Sequence, residues 1–236
     1  FMNWFIDVVK SYGFTDYRKP FGKGSYAVTY LKENKIYRFT KFSRTPISAK
    51  RTEKIYRSVS EAAYEAGVGP KIYDVKLLKR KKNDYILISI LEKLNSINWT
   101  KWKEVYSSEK ELLYSAMDVC RRMREAGLAH LDVSTNNAFL TKKGIKLIDW
   151  DDGCINKTKD KDLKKSCESN ISGTPGSTPP EYAFQRYGGS ASGKHGVMMK
   201  EFILREYGLD YSKKNNIIIA EKNYNGLARA NIFSVA

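Results

Sequence analysis

The sequence predicts an α+β protein in two parts, a strand-rich part with one helix to about residue 94 and a mainly helical part from about 95 to 236. Two observations carry this. Before residue 95, apolar residues alternate in short runs around a single helical stretch; from Ser108 they recur with a period of about 3.6. No internal repeat and no long low-complexity linker divides the chain, so both parts belong to one domain.

The elements follow in order. Tyr26–Leu31 is apolar, Lys32-Glu33-Asn34-Lys35 reads as a turn, and Ile36–Phe42 alternates again, which is a hairpin pattern. A helix is expected from Pro46 to Ala66, closed by Gly67 and Gly69 with Pro70 beyond. Two strands, Lys71–Leu78 and Tyr85–Leu91, flank the basic turn Lys79–Asp84. In the second part Leu112, Leu113, Ala116, Met117, Val119, Cys120 and Met123 mark one helix over Ser108–Ala126. Short strands are expected at Ala129–Val133, Ala138–Leu140 and Ile145–Ile148. Asn156–Pro180 is polar and rich in Lys, Ser, Gly and Pro, and reads as a long loop. Val197–Tyr207 reads as a last helix.

Composition narrows the class of function. The 42 Lys and Arg against 26 Asp and Glu leave a formal charge of +16, which favours an acidic partner: nucleic acid, a phosphorylated ligand or an anionic surface. The longest apolar run, Tyr85–Leu91, is far short of the roughly 18 residues of a membrane span. Asp7 and Lys10 interrupt the N-terminal apolar residues before a secretory core forms. Cys120, Cys154 and Cys167 show neither metal-ligand spacing nor an even disulfide set, so a reducing, cytoplasmic or otherwise intracellular setting is expected.

Three segments carry chemistry. Gly22-Lys23-Gly24-Ser25-Tyr26-Ala27 opens the first hairpin, and glycines two apart let a backbone approach an anion closely. It sits between strands, which argues against a dinucleotide fingerprint or a Walker loop. In His130-Leu131-Asp132-Val133-Ser134-Thr135-Asn136-Asn137, a carboxylate precedes a carboxamide by five residues. Asp149-Trp150-Asp151 follows the apolar Leu147-Ile148. Singly, Asp132 suits a turn cap and Asp149 a surface strand end. In this order they suit phosphoryl transfer, with one acid taking the hydroxyl proton while Asn and Asp oxygens face a metal ion.

Over about residues 20 to 182 the sequence resembles the protein kinase family. Gly22, Gly24 and Ala27 match its glycine-rich loop, with Ala in place of the third Gly. His130, Asp132 and Asn137 match the H-R-D-x-x-x-x-N loop, and Asp149-Trp150 stands where D-F-G begins. Gly173-Thr174-Pro175 with Pro180-Glu181 resembles the ending of the activation segment. Leu91-Glu92-Lys93-Leu94 resembles the hinge that receives adenine.

The resemblance implies a bilobal kinase-like fold with a shortened C-lobe, and transfer of the γ-phosphate of ATP to Ser or Thr hydroxyls of a protein substrate, with Mg²⁺. It implies Asp132 as the base and Asn137 and Asp149 as metal ligands. Gly22, Gly24, Ala27, Glu92 and Leu94 would surround the nucleotide. The phosphate-clamping cation falls to Lys41 or Arg38, which the strand spacing puts on opposite faces; the family's use of a flexible ammonium favours Lys41. Its helix partner is Glu53 or Glu61, with Glu53 preferred from its likeness to the casein-kinase type of helix.

Several positions depart from the family. Leu131 replaces the loop Arg, Ser134 stands where a Lys is usual, and Trp150-Asp151 replaces Phe-Gly, as in aminoglycoside- and choline-type kinases. The compact size resembles viral or pathogen-encoded kinases, for which the setting would be a host cell. Two other readings remain: a pseudokinase acting as a binding module, and a small-molecule kinase. The apolar residues of Val197–Tyr207 suggest a protein partner or self-association there, and nucleic acid ranks below a protein substrate.

Overall fold

A computed structural model describes residues 2–24, 26–81, 83–134 and 136–169. The segments 173–181 and 197–207, and with them the expected activation-segment ending, last helix and C-terminal interface, lie outside the described residues. The fold is α+β with antiparallel strands, and the chain divides into two units, Phe1–Glu65 with Gly69–Asn95, and Ala66–Val68 with the chain from Ser96 onward.

The first unit is a five-stranded sheet in the order β1 (Gly22–Lys23), β2 (Ala27–Lys32), β3 (Lys35–Ser43), β5 (Asp84–Glu92), β4 (Ile72–Lys81). The β2–β3 hairpin closes on Glu33 and Asn34 at φ 51° and 57°. Two successive positive φ values suit the right-handed twist of a hairpin, and an asparagine tolerates them. The β3–β5 pairing runs from Lys35 opposite Glu92 to Ser43 opposite Asp84. Because side chains alternate, Phe39, Ile86 and Ile88 share one face while Phe42, Leu87 and Ser89 share the other.

Each face is covered by a helix. On the first, α1 (Met2–Ser11) buries Phe5, Val8 and Val9 against Tyr30, Phe39, Ile86 and Ile88, and Trp4, Tyr12, Phe14 and Tyr17 pack around them. Sequence reading assigned no helix here. Ten residues are too few to be stable alone, and this helix forms because Phe5, Val8 and Val9 fall on one stripe over an aromatic sheet face. On the second face, α2 (Pro46–Glu65) places Tyr56 in a cluster with Val75 and Leu87, flanked by Phe42, Ile72 and Leu77. The Arg57 guanidinium donates to the Val75 carbonyl and ties α2 to β4.

The second unit is built on α3 (Glu109–Ala126). Ser108 caps it by accepting from the Glu111 amide at 3.2 Å, while the Glu111 carboxylate accepts from the Ser107 amide at 2.8 Å, so two unpaired N–H groups at this helix end are satisfied. The helix stops at Gly127, at φ 67°. After α3 come β7 (Leu128–Ala129), β8 (Ala138–Thr141), β9 (Gly144–Leu147), β10 (Cys154–Ile155) and α4 (Lys161–Ser169). The strand β6 (Ser96–Ile97) pairs with β8, and β10 pairs with β7. Ala66–Val68 lies along this unit: the Arg122 guanidinium donates to the Gly67 carbonyl at 2.9 Å and the Leu147 amide to the Val68 carbonyl at 2.7 Å.

Three expectations need correction. The strand expected over Ala129–Val133 ends at Ala129, because the chain turns at Leu131, whose φ is 65°. The loop expected over Asn156–Pro180 contains α4, whose amides of Asp162 and Leu163 are capped by the Asp160 carboxylate at 2.9 and 3.2 Å; Leu163 and Cys167, one turn apart, are both buried. The cysteines do pair: Cys154 of β10 is bonded to Cys167 of α4, and Cys120 remains a buried thiol. The argument from cysteine usage for a reducing compartment therefore falls. Among the described residues no helix is long and apolar enough to cross a membrane.

Two substitutions test these constraints by urea unfolding. A Cβ at position 127 would lie 2.5 Å from the Lys157 Cβ. Gly127→Ala should therefore cost more than the roughly 1–2 kcal/mol of a left-handed non-glycine residue alone, and an unchanged midpoint would refute this. Cys167→Ser opens a 13-residue bridge and should cost about 3 kcal/mol under oxidising conditions, with no loss in excess reductant.

Candidate functional site

In the second unit, Asp132 and Asn137 meet. The Asn137 Nδ2 lies 3.0 Å from the Asp132 Oδ2 and 2.9 Å from the Asp132 carbonyl oxygen. Both are acceptors, so the amide nitrogen must face them and the carboxamide oxygen Oδ1 points elsewhere. The loop between them is held by the Asn137 and Ala138 amides, which donate to the Ser134 carbonyl at 3.0 and 2.9 Å. The Asn137 carbonyl in turn accepts from the Ile148 amide at 2.8 Å, which brings the residue preceding Asp149 against Asn137.

His130 makes the second tie. Its ring is fully buried, its Nδ1 accepts from the Asp132 amide at 3.3 Å and its Nε2 lies 2.7 Å from the Ile148 carbonyl. Since Nδ1 accepts, the ring proton sits on Nε2 and is donated to Ile148. Burial pushes the imidazole pKa down, against the opposing pull of the Ile148 carbonyl, Asp149, Asp132 and Asp152. The edge of Trp150 meets the ring at 4.5 Å between centroids, and the indole N–H donates to the Leu147 carbonyl at 2.9 Å. This neutral histidine links the Asp132 loop to the strand end that presents Asp149.

Backbone conformation completes the arrangement. Leu131 and Asp149 have φ of 65° and 63°, in the left-handed region where a non-glycine residue is strained. Leu131 turns its side chain into the core, where only 6% remains exposed, and the half-buried Asp132 follows at once. The position at which the kinase family carries Arg is thus an apolar core position here. Asp149 is exposed, between buried Leu147 and buried Trp150.

The remaining candidates lie in the first unit. Gly22 pairs with Thr29, whose hydroxyl donates to the Gly22 carbonyl at 3.2 Å, and a Cβ at Gly22 would lie 2.8 Å from that hydroxyl oxygen. Gly24 donates its amide to the Ala27 carbonyl at 2.8 Å, closing the turn, and Ala27 is buried. Glu92, at the end of β5, is paired with Lys71: its amide donates to the Lys71 carbonyl at 2.8 Å and its Oε2 accepts from the Lys71 amide at 3.0 Å. Leu94 is half-buried beyond that strand. Glu53 lies on the buried stripe of α2 between Ala49 and Tyr56, whereas Glu61 is exposed.

Lys41 and Arg38 occupy opposite faces of β3, as their spacing requires. Lys41 is on the α1 face, with its ammonium 3.7 Å from the centroid of the Phe5 ring. Burial, and then the nearby Lys23, pull its pKa down. Arg38 is on the α2 face, directly opposite Ser89, whose hydroxyl bonds that of Tyr56 at 3.1 Å. Sequence reasoning overlooked Ser89 and Tyr56. The signal was present, for Ser89 is the one hydroxyl inside the apolar run Ile86–Leu91. Among the described residues no group of three or more His, Cys, Asp or Glu is gathered to cage a metal.

The buried histidine makes a pH prediction. With the folded pKa below the ordinary value near 6.5, the unfolded chain binds the proton first as pH falls, so stability is retained above about pH 6.5 and declines below it. The decline due to this residue should approach 1.4 kcal/mol per pH unit, a slope of about that size following from one proton. His130→Gln keeps a donor and an acceptor but does not titrate. Unfolding free energies measured from pH 7.5 to 5 should converge for the two proteins on acidification; parallel profiles would remove the assignment. Compared with protein-family models and with curated proteins, the chain matches none.

Proposed function

We propose that the protein is an ATP- and Mg²⁺-dependent phosphotransferase acting on Ser or Thr hydroxyls of a protein substrate. The observation that carries the reading is the Asp132–Asn137 pair, with Asn137 joined through Ile148 to the segment bearing Asp149. Such a pair places a proton acceptor beside oxygen donors for a cation, which is what transfer of a phosphoryl group to an alcohol requires.

In this reading Asp132 orients the attacking hydroxyl and accepts its proton. The hydroxyl oxygen bonds to the γ-phosphorus while the bond from that phosphorus to the β–γ bridging oxygen breaks, and the electron pair leaves on ADP. The Asn137 amide on Oδ2 holds the carboxylate in place. Asn137, through Oδ1, and Asp149 would hold Mg²⁺, whose charge offsets that on the phosphoryl oxygens. One carboxylate and one carboxamide fit this ion, because Mg²⁺ takes few protein ligands and completes its shell with water and phosphate. By resemblance, the turn at Gly22 and Gly24 would lie against the phosphates, with the Gly24 amide itself held by the Ala27 carbonyl. The choice of a protein acceptor rests on Gly173–Glu181, by resemblance.

Incubation with labelled ATP, Mg²⁺ and a generic basic protein tests the reading directly. Asp132→Asn should lower transfer at least about 100-fold, the usual scale for a lost general base, while Mg²⁺-ATP affinity stays within a few-fold. Transfer at an undiminished rate would discard Asp132 as the base. Asp149→Asn removes a ligand charge and should weaken Mg²⁺-dependent nucleotide binding; unchanged stabilisation by Mg²⁺-ATP against heat would discard the metal role.

A further inference from the structure

We infer that Arg38, and not Lys41, is the cation that holds the phosphates of the nucleotide in the first unit; this rests on the phosphotransferase reading above. Strand register separates the two cations. Across the sheet, Gly22 pairs with Thr29, Thr29 with Arg38, Arg38 with Ser89 and Ser89 with Val75. Directly opposed residues in antiparallel strands point to the same face, so these five form one row on one side of the sheet. The row begins at the glycine turn, passes through Arg38 and reaches Ser89, which Tyr56 of α2 fixes by a hydrogen bond. A Cβ at Gly22 would strike the Thr29 hydroxyl, so a residue without a side chain is required where the row begins.

The next row lies on the opposite face: Lys23 with Val28, Val28 with Phe39, Phe39 with Ile88. Lys41 is two residues along from Phe39 and shares that side. There α1 closes over the sheet, and Phe5, Val8, Val9, Phe39, Ile86 and Ile88 form a buried apolar layer. The Lys41 ammonium lies over the Phe5 ring, a cation–π contact that ties β3 to α1. A polyphosphate on that face would have to displace the helix. On the α2 face, Arg38 is half-buried, and Glu53 lies on the sheet-facing stripe of α2 one turn before Tyr56. A guanidinium also suits phosphate better than an ammonium here, since its planar fork donates to two oxygens at once.

The test compares Arg38→Met, Arg38→Lys and Lys41→Met in the full chain, by equilibrium titration with Mg²⁺-ATP and separately with adenosine. Arg38→Met should weaken Mg²⁺-ATP by about tenfold or more, the scale of one lost charge-assisted contact, and leave adenosine binding unchanged. Arg38→Lys, which keeps the charge and guards against a folding defect, should bind Mg²⁺-ATP more tightly than Arg38→Met. Lys41→Met should leave Mg²⁺-ATP affinity intact while lowering the unfolding temperature through loss of the α1 anchor. A loss in Lys41→Met equal to or larger than that in Arg38→Met overturns the inference, as does indifference of both, or equal binding by Arg38→Lys and Arg38→Met. If the unaltered chain binds Mg²⁺-ATP through Arg38 but transfers no phosphate, the phosphotransferase reading fails and the binding role of Arg38 stands. If it binds no Mg²⁺-ATP, both fail.

Discussion

A neutral imidazole sealed from water governs the second unit. Because His130 has no access to solvent, its charged form is disfavoured, and its one donor and one acceptor must both find protein partners. Both are met here by the Asp132 amide at Nδ1 and the Ile148 carbonyl at Nε2. Those two bonds dictate where the chain turns. Leu131 takes a left-handed conformation and fills the core, Asp132 emerges from it, and the chain leaving β9 through Ile148 leads to an exposed Asp149. The Asn137 amide and carbonyl then close the remaining gap, to Asp132 on one side and Ile148 on the other. An unsatisfied buried polar group costs about 1–3 kcal/mol, so these few bonds hold strained backbone that would otherwise relax.

The first unit depends on a division of labour between two faces of one sheet. Complete burial of an aliphatic or aromatic side chain contributes about 1.5–3 kcal/mol, so Phe5, Val8 and Val9 are enough to bind a short helix to the aromatic face. Two cations on that side lie over rings of the helix, Lys41 over Phe5 and Arg80 over Trp4 at 5.8 Å. The opposite face mixes apolar packing at Tyr56, Val75 and Leu87 with hydroxyls at Ser89 and Tyr56, and so keeps polar groups beside Arg38. Coverage by α1 thus decides what the sheet can offer a ligand, through occupancy of one face and not through any change in the strands.

Local chemistry by itself determined the hairpin at Glu33-Asn34, the long helices over 46–65 and 109–126, the succession of strands in the first unit and the order of Gly22, Asp132, Asn137 and Asp149. Each is written in residues close along the chain: alternation of apolar positions, a serine cap, a glycine stop, a fixed spacing of acid and amide. Opposite faces for Lys41 and Arg38 also followed from their spacing of three. Which face was which did not, because that depends on where a ten-residue helix at the far N-terminus comes to rest. The same limit explains α4 and the Cys154–Cys167 bond, whose polar sequence yields a helix only once Leu163 and Cys167 have β10 to pack against. The tautomer of His130 likewise awaited Ile148, eighteen residues away. Short-range pattern specifies elements; partners distant in sequence decide their faces, protons and pairings, since burial is conferred by the neighbours that tertiary structure supplies.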